Sequence, residues 1–314
     1  MKTITVLIPA YNEEAVLPQL FARLKDLQKT IKKYRLEILF INDGSSDDTL
    51  TMIQREAKKN SSIAYVNLSR NFGKEAGMLA GFDYAKGDAV VIIDADLQDP
   101  PELIPQMIEL WEQGYDDVYA RRRSRQGETW LKKKTSEWYY RILQKSTRIP
   151  IQHDTGDFRL LDRRCIETLR LLRESQRNTK ALFSWIGFNK KELLYDRDPR
   201  AAGDTKWNYS KLVNLAIDGV TSFTTAPLRI ASVFGLFVSC LAFCYILYLV
   251  IRPLFGVPTG AGYSSLMAVI LFLGGVQMIF LGIIGEYIGR IFNETKQRPL
   301  YLIEEYHQAH DKKQ

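Results

Sequence analysis

An apolar run that ends abruptly in carboxylates most constrains the fold of this chain. Val90 to Ile93 are consecutive β-branched residues, and Asp94 and Asp96 follow directly. A strand that is apolar at every position must be covered on both faces, as in the parallel sheets of α/β proteins. In such sheets, ligands bind beyond the carboxyl ends of the strands. The run therefore predicts a ligand site that includes Asp94 and Asp96.

The polar residues after this run offer oxygen atoms as ligands. Side chains alternate along an extended chain, so Asp94, Asp96 and Gln98 are expected to point in one direction. Carboxylate and amide oxygens suit Mg²⁺ or Mn²⁺ that carries substrate phosphates. The alternative interpretation is an acidic turn before a helix that begins at Pro101. A lone D-x-D pattern favours neither interpretation, and the buried strand before it favours the metal site.

Three other apolar runs have the same organisation, each followed by a polar loop and a helix: residues 4–8, 36–41 and 64–68. Together with the run at 90–93 they predict a mostly parallel α/β sheet with helices on both faces. Asn12 is expected to cap the first helix, and Asp162 a later one. Gly77 and Gly81 are expected to let the third helix lie close to the sheet.

Composition limits the classes of partner. The 314 residues include 43 basic and 36 acidic side chains, a formal net charge of +7. This charge is compatible with nucleic acid, anionic lipid or phosphorylated substrates. The loops contain no P-loop or G-x-G-x-x-G pattern. The three cysteines lack the spacing of a zinc site, which predicts reduced thiols in a protein that faces the cytoplasm.

Two uncharged stretches, residues 230–251 and 264–285, predict a membrane hairpin. Each is long enough to cross a hydrocarbon core of about 30 Å. Arg229 precedes the first stretch and Arg290 follows the second, so the positive-inside rule places both ends of the hairpin in the cytoplasm. The alternative, a pair of buried core helices, is disfavoured because such long uncharged runs are unusual in soluble domains.

These boundaries predict four segments in chain order. Residues 1–210 form a cytoplasmic α/β domain, and residues 211–228 an interfacial helix. Residues 229–290 contain the two transmembrane helices, and residues 291–314 form a cytoplasmic tail. In the last part of the first segment, Arg200 and Lys206 belong to a Gly-containing loop. Such a loop is either solvated or a basic clamp over phosphates, and the clamp is favoured.

Four motifs in this order and spacing resemble those of the family 2 glycosyltransferases with the GT-A fold: Pro-Ala-Tyr-Asn-Glu at 9–13, Asn-Asp-Gly-Ser-Ser-Asp at 42–47, Arg-Asn-Phe-Gly-Lys at 70–74 and Asp-Ala-Asp-Leu-Gln-Asp-Pro-Pro at 94–101. With the two spans, nearly the whole chain resembles the polyisoprenyl-phosphate glycosyltransferases. That group includes bactoprenol glucosyltransferases and dolichol-phosphate mannose synthases. The Q-x-x-R-W motif of the processive relatives does not occur, which favours a single transfer per encounter.

The resemblance implies a reaction and a set of residues. A hexose passes from a nucleotide diphosphate, UDP-glucose being favoured, to undecaprenyl phosphate at the cytoplasmic face of the inner membrane. Asp43 then contacts the nucleotide base, Asp94 the donor and Asp157 the acceptor side, while Asp96 and Gln98 bind Mg²⁺ or Mn²⁺. Asp94, Asp96 and Asp157 are the expected catalytic residues, with Asp94 near the metal. The expected substrate-binding residues are Pro9, Tyr11, Glu13, Asp43, Lys74, Arg122, Arg200 and Lys206.

Other interpretations remain open at this stage. The same fold serves for mannose or an amino sugar, and no residue identified in the sequence separates hexoses that differ in one hydroxyl. A membrane-tethered binder that has lost turnover would be expected to lack Asp94, Asp96 or Gln98, yet all three are present. A nucleic-acid binder would have no need of a hairpin, so no nucleic-acid partner is expected. The oligomeric state is open, a homo-oligomer included.

Overall fold

The computed structural model describes residues 1–123, 155–196, 226–251 and 262–309. They belong to two compact units. The first contains the described residues up to 196 together with residues 298–309, and the second contains residues 226–251 and 262–297. The first unit is therefore assembled from both ends of the chain.

An eight-stranded sheet forms the centre of the first unit, in the order β7-β5-β6-β4-β1-β2-β3-β8. The strands are β1 (Thr3–Ala10), β2 (Arg35–Asn42), β3 (Ile63–Leu68), β4 (Ala89–Ile92), β5 (Asp117–Arg122), β6 (Thr155–Asp162), β7 (Lys190–Tyr195) and β8 (Ile303–His307). Strands β1 to β4 run parallel, whereas β6 is antiparallel to β4 and β5. The predicted mostly parallel α/β sheet is confirmed.

Helices connect the parallel strands as the sequence predicts. The helices of this unit are α1 (Leu17–Thr30), α2 (Thr49–Lys59), α3 (Lys74–Tyr84), α4 (Ile104–Glu112), α5 (Arg163–Leu171) and α6 (Thr179–Trp185). The side chain of Asp162 accepts a hydrogen bond from Arg164 N and caps α5, which confirms its predicted role. A Cβ added at Gly81 would lie 2.3 Å from Leu7 Cδ1, so the close approach of α3 to the sheet is confirmed there.

The apolar runs are buried along their whole length, which the sandwiched position of the sheet requires. Val90, Val91, Ile92 and Ile93 have no exposed surface. Burying side chains of this size stabilises the fold by about 1.5–3 kcal/mol each, before conformational entropy is counted. This core fixes the edge at which the loops after β1 to β4 meet.

The prediction that Asn12 caps the first helix is wrong. Helix α1 begins at Leu17, with Val16 in the capping position and no side-chain cap. Asn12 has a positive φ of 55°, and its side-chain oxygen accepts a hydrogen bond from Ser46 N at 2.8 Å. Its amide is therefore used to join two loops rather than to begin a helix.

A strand that the sequence analysis did not anticipate completes the sheet. Strand β8 pairs antiparallel with β3, with His307 opposite Tyr65 in the register. The rings of these two residues stack with centroids 5.2 Å apart. Tyr306, which precedes His307 in β8, contacts Tyr84 of α3 with ring centroids 4.6 Å apart. The segment predicted as a tail thus contributes the edge strand next to β3.

Two helices form the described part of the second unit, α7 (Ala226–Ile251) and α8 (Tyr263–Thr295). Within Ser265–Thr295, α8 is long and apolar enough to cross a membrane, because it contains an 18-residue stretch with a mean hydropathy of 2.5. Residues Ile230–Tyr245 of α7 form a shorter apolar helix. Large apolar side chains on both helices are exposed, including Val233 and Met278. Such exposure indicates a membrane environment rather than water. Most of the interfacial helix predicted at 211–228 lies outside the described residues.

Candidate active site

Hydrogen bonds join the loops after β1 and β2 into one layer. Asn12 N donates to Ser45 Oγ at 3.0 Å, and Glu13 N donates to Thr49 Oγ1 at 2.8 Å. Both bonds run between residues more than thirty positions apart, so the position of each loop depends on the other. The predicted substrate-binding residue Glu13 lies in this layer, and Tyr11 beside it is 46% exposed. An exposed aromatic ring at this edge offers a face on which a flat ligand can stack.

Asp43 connects this layer to the loop before α3. Its carboxylate accepts hydrogen bonds from Phe72 N at 2.7 Å and Gly73 N at 2.9 Å. Burial raises the pKa of the Asp43 carboxyl and outweighs these two bonds, which lower it. Gly44 has a positive φ of 62°, and a Cβ there would lie 2.4 Å from the backbone of Arg70. The structure therefore gives Asp43 a role in shaping the loop, alongside the predicted contact with a nucleotide base.

The chain turns where the sequence predicts continued alternation. Strand β4 ends at Ile92, and Leu97 has a positive φ of 58°. Gln98 N donates to Asp96 Oδ1 at 3.2 Å, which closes a tight turn around the two residues. The prediction that Asp94, Asp96 and Gln98 point in one direction assumed that the strand continues to Gln98. This assumption is wrong, because the chain turns. The local hydrogen bond, rather than strand pleating, brings Asp96 and Gln98 together.

Lys74 links the two carboxylates that the sequence assigns to opposite substrates. Its ammonium lies 2.7 Å and 2.9 Å from the two oxygens of Asp94, and 2.6 Å from Asp157 Oδ2. Because β6 runs antiparallel to β4, the first residues of β6 reach the edge where β4 ends. Burial disfavours the charge on Lys74, but Asp94 and Asp157 outweigh it and raise its pKa. The residue stays a cation between two anions.

Asp157 is 8% exposed, yet it stays ionised. Burial alone would raise the pKa of this carboxyl, but the charges of Lys74, Lys180 and Arg159 outweigh burial and lower it below 3.8. A carboxylate with a lowered pKa accepts a proton poorly, so it is a weak general base. The arrangement suits orientation of a substrate better than proton abstraction.

Glu75 secures the helix that carries one of these cations. Its carboxylate accepts a hydrogen bond from Thr179 N, the first residue of α6, at 2.8 Å. Burial raises the pKa of Glu75 and outweighs its bonds to Thr179, which lower it. Lys180 follows Thr179 in the chain. The neighbouring residues Lys74 and Glu75 therefore both contribute to the surroundings of Asp157.

A second buried contact supports the turn that contains Asp96 and Gln98. Tyr195 Oη donates to Asp99 Oδ1 at 2.6 Å, and both side chains are buried. Burial, followed by the charge of Asp99, raises the pKa of Tyr195. Arg122, a predicted substrate-binding residue, is the register partner of Tyr195 in the pairing of β5 and β7. Among the described residues its Nε is buried without a hydrogen-bond partner.

The side chains present fit a hard divalent cation only in part. Asp96 and Gln98 offer carboxylate and amide oxygens, the ligands that Mg²⁺ and Mn²⁺ prefer. Asp94, the third predicted ligand, is paired with Lys74. In the part of the chain that the structure describes, no group of three or more His, Cys, Asp or Glu residues could hold a metal ion. Asp96 and Gln98 are thus the residues of this turn that would hold such a cation.

The structure describes ten of the predicted site residues, and its contacts join Lys74, Asp94 and Asp157 directly. Pro9, Tyr11, Glu13, Asp43, Lys74, Asp94, Asp96, Gln98, Arg122 and Asp157 all belong to the first unit. Arg200 and Lys206 lie outside the described residues. Sequence reasoning missed the link through Lys74 and the bond between Tyr195 and Asp99. The available signal for the link through Lys74 was its position at the end of a recognised motif. The signal for the other bond was the acidic Asp99, which lies beside the predicted metal ligands.

The chain is similar to known glycosyltransferases. The model of glycosyl transferase family 2 matches residues 5–170, and the model of the GtrB C-terminal hairpin matches residues 226–291. An uncharacterized glycosyltransferase of Synechocystis is 50% identical over 301 residues, covering 96% of this chain and 94% of the relative. The SfII prophage-derived bactoprenol glucosyl transferase of Shigella flexneri is 44% identical over 307 residues, covering 98% and 99%. The crystal structure of mannosyl-3-phosphoglycerate synthase from Rubrobacter xylanophilus covers 74% of this chain and 75% of that chain, at a TM-score of 0.48 and 16% identity.

Proposed function

Because this chain belongs to glycosyl transferase family 2, we propose that it transfers glucose from UDP-glucose to a polyisoprenyl phosphate at a membrane surface. Support for the acceptor and the sugar comes from the bactoprenol glucosyl transferase of Shigella flexneri, which matches almost the full chain. Undecaprenyl phosphate is the polyisoprenyl phosphate that we propose as the acceptor.

The observation that carries this proposal is the bridge from Asp94 through Lys74 to Asp157. A transfer between two phosphorylated substrates needs a donor site and an acceptor site in direct contact. Asp94 follows β4 and Asp157 lies near the start of β6, so the bridge joins residues that follow different strands. We assign the Asp94 side to the nucleotide sugar and the Asp157 side to the lipid phosphate.

The chemistry of the acceptor matches the properties of Asp157. A phosphate monoester has a second pKa of about 6, so it is mostly a dianion at neutral pH and can attack without losing a proton. The lowered pKa of Asp157 makes it a weak base, which this acceptor does not require. Asp157 instead orients the acceptor through the cations around it. Attack opposite to the departing nucleotide predicts inversion at the anomeric carbon.

Charge must be offset where two phosphorylated substrates meet. Asp96 and Gln98 are the residues that would hold Mg²⁺ or Mn²⁺, and the bound ion would neutralise charge on the departing diphosphate. Arg122 and the predicted phosphate-binding residues Arg200 and Lys206 would supply further positive charge. Lys74 offsets part of the negative charge that Asp94 and Asp157 add to the site.

The helical unit supports a membrane location. The GtrB C-terminal hairpin model matches residues 226–291, and α8 is long and apolar enough to span a bilayer. We propose that α7 and α8 both cross the inner membrane, which leaves the catalytic unit and both chain ends in the cytoplasm. The polyisoprenyl phosphate would then be taken from the cytoplasmic leaflet.

The decisive experiment is a transfer assay in membranes that contain undecaprenyl phosphate. Radiolabelled UDP-glucose, GDP-mannose and UDP-N-acetylglucosamine are supplied separately, with Mg²⁺, Mn²⁺ or EDTA, to the unchanged chain and to Asp96→Ala. Label in the lipid from UDP-glucose alone, lost with EDTA and in the variant, is the expected result. Transfer from another donor would replace glucose in the proposal. Nucleotide binding without transfer from any donor would favour a tethered binding protein.

A further inference from the structure

Two buried amides, on β3 and β2, link an exposed carboxylate on β8 to the residue that precedes Asp43. Asn67 Nδ2 donates to Glu304 Oε2 at 2.9 Å, and Asn42 Nδ2 donates to Asn67 Oδ1 at 2.7 Å. Asn42 and Asn67 are register partners in the pairing of β2 and β3, and both are buried. Glu304 lies on β8. The three side chains connect the C-terminal strand to the end of β2.

The carboxylate of Glu304 sets the direction of both hydrogen bonds. An ionised carboxylate only accepts, so Asn67 must turn its NH₂ group toward Glu304 and its oxygen toward Asn42. If Asn67 reversed, two NH₂ groups would face each other within the buried pair. Loss of Glu304 would therefore remove the group that holds Asn67 in this orientation. Asn42 Nδ2 would lose its acceptor, Asn67 Oδ1, whenever the Asn67 amide rotated by half a turn.

The pair of amides carries a cost in folding stability. Asn42 Oδ1 is buried and has no hydrogen-bond partner among the described residues. An unpaired buried acceptor costs about 1–3 kcal/mol, so an apolar pair at these positions would be more favourable for folding alone. Asn42 immediately precedes Asp43, whose carboxylate holds Phe72 N and Gly73 N. Lys74 follows Gly73 directly.

We propose that Glu304 is a positioning residue for the nucleotide side of the active site. Through Asn67 and Asn42 it fixes the end of β2, and thereby Asp43 and the loop that leads to Lys74. This inference rests on the proposed function, since it concerns the site for the UDP moiety of the donor. The segment matched by neither family model thus takes part in donor binding.

Strand β8 has other attachments, so a change at Glu304 leaves the strand in place. The neighbouring Glu305 accepts hydrogen bonds from Tyr65 Oη at 2.6 Å and from Gln54 Nε2 at 2.9 Å. Ser69 N donates to Leu302 O at 3.0 Å. Glu305 is opposite Asn67 in the strand register, but its carboxylate bonds Tyr65 and Gln54 whereas the Asn67 amide bonds Glu304, and this makes Glu305 the matched control.

The test compares Glu304→Ala, Glu304→Gln and Glu305→Ala in the full chain. Binding of UDP with Mn²⁺ is measured by calorimetry, KM and kcat for the sugar nucleotide by the transfer assay, and folding by thermal unfolding. Glu304→Ala should weaken UDP binding about tenfold, the equivalent of 1.4 kcal/mol, and raise KM by a similar factor while kcat changes less. Glu304→Gln should restore binding, because its amide oxygen can accept the same bond from Asn67.

Glu305→Ala should lower the melting temperature but leave UDP binding within about twofold of the unchanged chain. Equal weakening in Glu304→Ala and Glu305→Ala, or none in either, would overturn the inference, because β8 would then act only as a structural strand. Failure of Glu304→Gln to restore binding would overturn it as well. If the unchanged chain bound no UDP, the proposed function itself would fail, and this inference with it.

Discussion

The ammonium of Lys74 lies 2.6 Å from a carboxylate oxygen of Asp157, and the two residues come from different layers of the fold, helix α3 and strand β6. The same ammonium binds Asp94, so the two carboxylates share one cation. The separation between Asp94 and Asp157 is therefore set by a single side chain.

Replacing Lys74 with Met should lower kcat at least about a hundredfold, the size of effect seen when one preorganised charge is removed from an active site. Two close carboxylates would then lack their shared cation, and their charge would oppose the approach of phosphates. Lys74→Arg keeps the charge and should retain more activity than Lys74→Met. Steady-state kinetics give the comparison, with Lys58→Met on the exposed surface of α2 as the control. Full activity in Lys74→Met would contradict the role of the bridge.

Asp96→Asn should raise the Mn²⁺ concentration needed for half-maximal activity at least about tenfold, because a carboxylate ligand is replaced by a weaker amide. The measurement is a titration of metal into chelator-treated protein. Asp88→Asn serves as the matched control, since Asp88 is exposed and accepts a hydrogen bond from Thr3 N at the start of β1. An unchanged metal requirement in Asp96→Asn would exclude Asp96 as a ligand.

Tyr195→Phe should lower the free energy of unfolding by about 1–3 kcal/mol, because it leaves the buried Asp99 carboxylate without the phenol hydrogen bond. Urea unfolding measures the change. The control is Tyr34→Phe, which removes a bond to Glu112 at an exposed position and should cost less than about 1 kcal/mol. Equal losses of unfolding free energy in Tyr195→Phe and Tyr34→Phe would show that the buried bond to Asp99 contributes no more than the exposed bond to Glu112.

Glu37→Gln should become progressively more stable than the unchanged chain as the pH rises from 4 to 8. Burial raises the pKa of Glu37 above 4.5 and outweighs the hydrogen bond from Thr5, which lowers it. Above 4.5 the unfolded carboxyl has lost its proton while the folded one retains it, so stability falls as pH rises through the folded pKa. Glutamine does not titrate and avoids this loss.

Urea unfolding at several pH values gives the difference in unfolding free energy between Glu37→Gln and the unchanged chain. Glu109→Gln, at an exposed position of α4, is the matched control and should show a nearly constant difference. A constant difference for Glu37→Gln would mean that burial does not shift the titration of Glu37.

The lipid-linked product should carry the sugar in the β configuration if the donor carries it in the α configuration. A single displacement with attack opposite to the departing nucleotide reverses the anomeric centre. Nuclear magnetic resonance of the purified product, through the coupling constant of the anomeric proton, measures the configuration. Retention of the α configuration would require two displacements and would rule out the proposed mechanism.

Regular elements could be predicted because their signals are local. The run from Val90 to Ile93 is apolar at every position, and only a strand covered on both faces explains it. The prediction failed after the strand ends at Ile92, because Leu97, five residues further on, takes a positive φ and the chain turns. Non-glycine residues rarely adopt that conformation, so the local pattern offered the turn only as the alternative interpretation.

Contacts between distant segments could not be predicted from the sequence. Tyr65 and Glu305 are hydrogen-bonded across 240 positions, and β8 is short and contains several charged residues. A short polar strand at a sheet edge has a weak hydrophobic pattern. The bridge through Lys74 was likewise missed. Residues 74, 94 and 157 come into contact only after the sheet has assembled. The motifs identified the participants, and the tertiary fold decided their partners.

The position of β8 in the chain has a consequence for biosynthesis. This strand follows α7 and α8, so the ribosome produces both apolar helices before it produces the partner of β3. Until then, β3 presents unpaired backbone groups, a template on which another chain can pair. A nascent chain that stalls after α8 would expose this edge and also lack Glu304. The donor side of the sheet is therefore completed only after the membrane-associated helices have been synthesised.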